Sequence, residues 1–247
     1  MKKYIVANWK SNKTLSETTF WLNNFPNQQE SKQALANLEI ILAPPYPFLS
    51  LCKAIIVERQ LPIKLAVQDL SAFGRGAYTG EVSAYNLQDL SIDYALVGHS
   101  ERRRFLAESS ALIADKIHEA LSWKIKPILC LDQPYFLEQA QFLSSQALTE
   151  CFLAYEPLGA IGSGQAESPG DILAIRQQLT SIYGHGPIFY GGSVNADNIA
   201  AYLRVCEGVL LGGASLELQN FIDLLYAASK TSRSEEHTSE LQSRSDL

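Results

Sequence analysis

Several of the features that assign a sequence quickly are missing from this one. It has four cysteines, Cys52, Cys130, Cys151 and Cys206, and no two of them form a C-x-x-C pair. That scatter excludes a dense disulfide scaffold and a zinc-finger ligand set, and it predicts buried, reduced thiols in a cytoplasmic protein. No apolar run approaches the roughly 18 residues that a membrane-spanning helix needs, so no membrane partner is expected. The opening MKKYIVANWK has only a short apolar stretch before Asn8 and makes a poor signal peptide. A basic surplus is also missing: the formal net charge is −6, which argues against nucleic acid as a partner. No glycine-rich phosphate turn follows the first apolar run, which continues as ANWKSNK, so there is neither a dinucleotide fingerprint nor a P-loop. His118, His185 and the cysteines have no metal-ligand spacing, and neither metal nor cofactor is expected.

What the chain does have is apolar residues, 47% of its 247 positions, enough for one large core. Short β-rich runs recur along it: 4–10 (YIVANWK), 39–45 (EIILAPP), 64–70 (KLAVQDL), 94–100 (YALVGHS), 126–132 (KPILCLD), 151–157 (CFLAYEP), 187–193 (PIFYGGS) and 208–214 (GVLLGGA). They are continuous rather than alternating, as in parallel strands buried on both faces. Helical spacing fills the intervals at 14–25, 47–58, 109–124, 135–148, 168–179 and 214–229. In 109–124, Leu112, Ile113, Ile117, Ala120 and Leu121 make one stripe. Ser168 suits an N-cap and Pro169 a first turn. Eight strand–helix alternations in about 230 residues predict an α/β fold, a closed (β/α)8 barrel of eight parallel strands with outer helices. An open doubly wound sheet is the runner-up.

The end of the chain differs in kind. From about residue 231 it reads TSRSEEHTSELQSRSDL, with Leu241 and Leu247 its only large apolar residues. Arg233 and Arg244 against Glu235, Glu236, Glu240 and Asp246 give it a net charge of −2, leaving −4 for residues 1–230. RSEEHTSELQS resembles the conceptual translation of a common DNA-sequencing adapter. We expect residues 1–230 to form a single domain and 231–247 to be a non-native disordered tail.

Polar residues gather where the strands end: Asn8 and Lys10, Gln68 and Asp69, His99, Asp132, Glu156, Ser193, and Gly212 with Gly213. On a barrel these ends form one rim, where active sites sit. In VGHSERRRF (97–105), His99 follows a glycine and precedes a helical turn. A hydrogen-bonded structural histidine is the plainer reading. A helix-start dipole, however, disfavours imidazolium, so a His there would stay neutral and could donate to a substrate oxygen. In AYEPLGAIGSG (154–164), Glu156 closes a strand beside a loop of small residues. Partial burial there would raise its pKa towards that of a general base. YGGSV (190–194) and LLGGASL (210–216) put glycine pairs where barrels often bind phosphate, and in the second a helix follows at once. Lys10 would add fixed positive charge.

Taken together, ANWK, GAYTGEVSA, VGHSERR, AYEP with AIGSG, YGGSV and LLGGASL resemble the triosephosphate isomerase family, in the family's order, over nearly all of residues 1–230. The resemblance implies interconversion of dihydroxyacetone phosphate and glyceraldehyde 3-phosphate, without a cofactor, in glycolysis and gluconeogenesis. It implies Glu156 as the base moving a proton between C1 and C2, and His99 as a neutral electrophile. Asn8 and Lys10 would bind substrate, with Glu101 behind Lys10, and Gly162, Ser193, Gly212 and Gly213 would hold the phosphate. The loop after Pro157 would act as a lid. The family is dimeric, which implies a homodimer with Tyr78 and Thr79 near the partner's Asn8 and the partner's His99.

The match departs from the family in two linked places. The family usually has Val-Trp after Glu-Pro and Cys-(Ile/Val)-Gly-Glu after the fifth strand. Here the residues are Leu158-Gly159 and Cys130-Leu131-Asp132-Gln133, so both sides of one lid contact are replaced. The lid's far hinge also departs, reading Gln165-Ala166-Glu167. The competing readings are a phosphate-binding scaffold, which needs no base, and an indole-glycerol-phosphate or phosphoribosyl barrel enzyme, which lacks VGHSERR and AYEP.

Overall fold

All eight of the apolar runs become strands. The computed structural model describes residues 2–157, 159 and 166–245, with side chains described as far as Thr231. The strands are β1 (Lys3–Asn8), β2 (Leu38–Ala43), β3 (Ile63–Val67), β4 (Tyr94–Val97), β5 (Lys126–Leu131), β6 (Phe152–Tyr155), β7 (Ile188–Tyr190) and β8 (Gly208–Leu211). They pair in parallel in chain order, and β8 closes on β1, with Tyr4 opposite Gly208 and Ala7 opposite Leu211. This is a (β/α)8 barrel, and the open sheet is excluded because no strand is left at an edge.

The runs are continuous because alternate residues enter two different cores. Ile5, Ala7, Leu129, Leu131, Leu153, Tyr155, Val209 and Leu211 pack outward against the helices. Val6, Ile128, Cys130, Ala154, Phe189 and Leu210 fill the barrel, with Tyr4 and Phe152 packed against them. The same parity, carried to the strand ends, turns Asn8 and Glu156 inward above Val6 and Ala154. A period of two in the sequence thus puts two polar side chains over the barrel axis.

Helix ends follow local chemistry. Ser168 accepts from the Asp171 N–H and starts the helix Pro169–Tyr183; Ser109 accepts from the Leu112 N–H and starts Ser110–Ser122. Outside the barrel, Trp21 packs against Trp9, Phe25 and Phe221, with ring centroids 5.2 to 5.4 Å apart. Each such burial contributes about 1.5–3 kcal/mol.

Four details differ from the sequence reading. The stretch 135–148 is not one helix but two, Phe136–Gln141 and Ser145–Glu150, because Ser144 caps a new start by accepting from the Ala147 N–H. After β8 a 3-10 turn, Gly213–Ser215, comes before the long helix, which begins only at Leu218. Helices at Gln29–Ala34 and Ile199–Val205 have no stripe to mark them: the first has Ala34 as its one apolar residue, and the second, IAAYLRV, is two turns long and apolar nearly throughout. The last helix runs from Leu218 to Ser245, through the stretch expected as a tail. Among the described residues, no helix is long and apolar enough to cross a membrane, and no group of His, Cys, Asp and Glu is placed to hold a metal ion.

Candidate active site

At the C-terminal rim of the barrel lies a cavity of about 560 Å³. Asn8, Lys10, His99, Glu101, Glu156, Ser193, Gly212 and Gly213 all line it, so the rim brings together residues from five strands. Gly162 lies outside the described residues. Tyr78 and Thr79 do not line the cavity; they sit on an exposed stretch, where the Tyr78 ring stacks on Phe73 at 4.4 Å.

The polar group over the axis is tightly organised. His99 Nε2 lies 3.1 Å from Glu156 Oε1, and each residue is only 4% exposed. His99 is also the N-cap of the helix Ser100–Leu106, and its Nδ1 accepts from the Glu101 N–H at 3.2 Å. Nδ1 is therefore occupied as an acceptor, and the ring proton belongs on Nε2, directed at Glu156. The remaining carboxylate oxygen, Glu156 Oε2, is buried with no hydrogen-bond partner among the described residues. The fully buried Cys130 thiol lies against the same carboxylate, and burial pushes that thiol well up from its ordinary value.

Electrostatics corrects one expectation. Burial does push the Glu156 carboxyl up, but His99, its hydrogen bond and Lys10 pull harder, and the carboxyl sits below its ordinary value. The carboxylate is held ionised by its neighbours against the penalty of burial. For His99, burial disfavours the imidazolium while Glu156 and then Glu101 favour it, with a net rise. The hydrogen-bond geometry opposes that rise: a second ring proton would have to displace the Glu101 N–H from Nδ1. The helix N-terminus adds to the opposition. The imidazole is neutral in this arrangement.

Lys10 is held from three sides. Its N–H donates to Asn8 Oδ1 at 3.0 Å, and its carbonyl accepts from Gln68 Nε2 at 2.9 Å. Its Nζ contacts Glu101 Oε1 at 2.5 Å. Its φ of +51° is left-handed, a costly conformation for a side-chain-bearing residue and one that persists where the surroundings enforce it. Opposite, Gly191 is required by contact: a Cβ there would meet Glu156 Cγ at 2.7 Å. Gly98, just before His99, is required by its φ of +69°.

The sequence reading missed Asn195 and Asn198, which line the cavity beyond Ser193. Asn198 Nδ2 donates to the Ser193 carbonyl at 3.1 Å. The N-x-x-N spacing after a glycine loop could have marked them.

The chain matches the family model for triosephosphate isomerase over residues 3–228. It is 40% identical to a triosephosphate isomerase of Thermus thermophilus, over 92% of this chain and 100% of that protein. It is 35% identical to the proteins of that name from Chlamydia muridarum, over 90% of each chain, and from Polynucleobacter asymbioticus, over 90% of this chain and 98% of that one. With a closed eight-stranded barrel and a match over nearly the full domain, the chain belongs to the triosephosphate isomerase family.

Proposed function

We propose that Glu156, His99, Lys10 and Asn8 carry out the interconversion of dihydroxyacetone phosphate and D-glyceraldehyde 3-phosphate at this rim. As a member of its family the chain is an isomerase of glycolysis and gluconeogenesis. The observation that carries the assignment of roles is the 3.1 Å contact between His99 Nε2 and Glu156 Oε1 in a cavity whose other wall is glycine backbone.

Glu156, ionised, takes the proton from the carbon beside the carbonyl and returns it to the neighbouring carbon. Between the two transfers charge develops on the oxygens of an enediolate, and the hydroxyl proton moves from one of these oxygens to the other. His99 offers its Nε2–H to those oxygens, and Lys10 supplies fixed positive charge beside them, already oriented by Asn8, Gln68 and Glu101. A neutral imidazole suits the task, since it stabilises the oxyanion by a hydrogen bond without giving up its proton outright. The phosphate is held by backbone N–H groups at Ser193, Gly212 and Gly213, and by Gly162 from the stretch after Pro157. The 3-10 turn Gly213–Ser215 supplies amides of one sign there, as a helix start would. Solvent exclusion keeps the enediolate from losing its phosphate. With Gly159 and Gln133 in place of the family's Trp and Glu, that exclusion is looser and the enzyme slower or leakier.

The folded unit is residues 1–230, as the family match to residue 228 supports, and 231–247 are foreign to the native protein. A stop codon near position 230 in the resequenced gene is the expected result. The unit is a cytoplasmic homodimer in which the exposed stretch carrying Tyr78 and Thr79 inserts into a second copy. Sedimentation at micromolar concentration should give twice the chain mass.

A coupled assay with glyceraldehyde 3-phosphate tests the catalytic reading. The wild type should turn over and Glu156→Asp should lose most of its kcat. An inactive wild type would favour a phosphate-binding scaffold, and undiminished Glu156→Asp would deny Glu156 its role.

A further inference from the structure

Glu167 lies just before the helix Pro169–Tyr183, and three tyrosine hydroxyls converge on that one half-buried residue. Tyr155 donates to the Glu167 carboxylate at 3.2 Å. The Glu167 N–H donates to the Tyr190 hydroxyl at 3.0 Å. Tyr202 donates to the Glu167 carbonyl at 2.7 Å. Tyr155 and Tyr202 are 3% exposed and Tyr190 is fully buried. Burial pushes the Tyr155 phenol well up and that of Tyr190 to about 12, so both keep their protons at neutral pH.

The two strands involved lead into Glu156 and into one stretch of the cavity wall. Tyr155 ends β6 and is followed directly by Glu156. Tyr190 ends β7 and is followed by Gly191, Gly192 and Ser193, all on the cavity wall. Between these strands there is no slack. The Gly191 N–H donates to the Tyr155 carbonyl at 2.7 Å. A Cβ on Gly191 would strike Glu156, and one on Gly192 would come within 2.0 Å of the Tyr190 hydroxyl. A small shift of β6 against β7 therefore moves the base relative to the glycine wall, and misplacement by about 1 Å can cost on the order of a hundredfold in rate.

The sequence points to the same residue. Glu167 belongs to the Gln165-Ala166-Glu167 run where the chain departs from its family, as it also does at Gly159 and Gln133. A cavity of about 350 Å³ lies beside Tyr155, lined by Gln133, Glu167, Asp171 and Ala174. Glu167 supplies a hydrogen-bond partner at this edge of β6, in a chain that lacks the family's Trp and Glu.

We propose that Glu167 is a positioning residue for the isomerisation: its carboxylate holds Tyr155 while its backbone holds Tyr190 and Tyr202, and the three contacts together fix the strand bearing Glu156 against the strand bearing the Gly191–Ser193 wall. The proposal rests on the reading of Glu156 as the base.

The test is steady-state kinetics on Glu167→Ala, Glu167→Gln, Tyr155→Phe and the double variant Glu167→Ala/Tyr155→Phe, with thermal midpoints measured alongside. Glu167→Ala and Tyr155→Phe should each lose about tenfold in kcat with KM changed less than about twofold. The double variant should be no worse than either alone, since both remove one contact. Glu167→Gln keeps an acceptor oxygen and should stay within about threefold of wild type. Wild-type kcat in Glu167→Ala, additive losses in the double variant, or a loss confined to KM would overturn the proposal. If Glu167→Ala fails to fold, Tyr155→Phe, which keeps its ring packed, decides by the same criteria. Glu156→Asp in the same assay separates the two claims: its undiminished activity would remove the base assignment, whereas a crippled Glu156→Asp beside a normal Glu167→Ala would remove only this inference.

Discussion

Two carboxylates near the barrel rim make an instructive pair. Glu108 and Glu156 are both nearly inaccessible, and each has one oxygen without a hydrogen-bond partner among the described residues. Their settings differ. Glu108 Oε1 faces two cations, Lys116 Nζ at 2.5 Å and the Arg102 guanidinium at 2.8 Å, and Asp69 closes the network by taking both of the same cations. Glu156 faces an imidazole and lines a cavity. Both carboxyls are held below their ordinary value against burial, Glu108 by Lys116 and Arg102, Glu156 by His99 and Lys10. Neither a lowered pKa nor an orphaned oxygen distinguishes the carboxylate proposed as the base from one that holds an ion-pair network. Access to a cavity and the company of a neutral donor do.

If that contrast is right, disturbing each cluster should damage a different property. The largest effect is expected from His99→Gln, which replaces the fixed imidazole Nε2–H proposed to face the developing oxyanion with a flexible, differently placed amide donor. It should cost about 10²- to 10³-fold in kcat while the denaturation midpoint changes little. Glu108→Ala should do the reverse. It leaves Lys116 and Arg102 with one buried partner fewer and should cost about 3 kcal/mol, read as a lower denaturation midpoint at unchanged m, with kcat per folded molecule preserved. A Glu108→Ala protein of full stability and poor turnover would erase the distinction.

The pH dependence sharpens it. A depressed carboxyl contributes stability above its unfolded value, and that stability is lost as pH falls through the lower folded value. Glu108 has this sign, and its ordinary value is 4.5. Asp69 has the opposite sign, because burial, followed by Glu108's repulsion against the pull of Lys116 and Arg102, leaves it raised. The stability gap between wild type and Glu108→Gln should therefore hold steady from about pH 7 to pH 5 and narrow below that. A gap that widens on acidification would show the sign to be wrong.

How much of this could be read from the chain depends on the element. The barrel was legible because burial on both faces leaves a continuous apolar run, and eight such runs leave few other folds. Asn8, His99 and Glu156 were legible because each breaks an apolar run at its end. The direction of Glu156's titration was not: burial alone is visible in sequence, whereas the opposing pull of His99 exists only once β4 and β6, on either side of β5, bring their ends to the same rim. The left-handed Lys10 was equally hidden, since nothing in NWK calls for a positive φ and only the Asn8 and Gln68 contacts impose it. The network around Lys116 was invisible as well. Asp69 and Lys116 are 47 positions apart, and the spacing in SALIADKIHEALS marks only a helix face.

The smallest expected effect concerns the departures from the family pattern. Among the described residues nothing lies within 4 Å of where a Gly159 Cβ would sit, so a Cβ meets no clash with them. Gly159→Trp with Gln133→Glu should lower phosphate elimination relative to isomerisation by about two- to fivefold, the scale set by a glycine's extra backbone freedom. An unchanged ratio would mean that the missing contact has already been made good elsewhere.

The central claim is that Glu156 itself moves the proton. Incubating dihydroxyacetone phosphate with the enzyme in D₂O and following deuterium at C1 tests it without relying on net turnover. Wild type should exchange readily, and Glu156→Gln should exchange about 10³-fold more slowly with its fold intact. Exchange by Glu156→Gln at the wild-type rate would contradict the account.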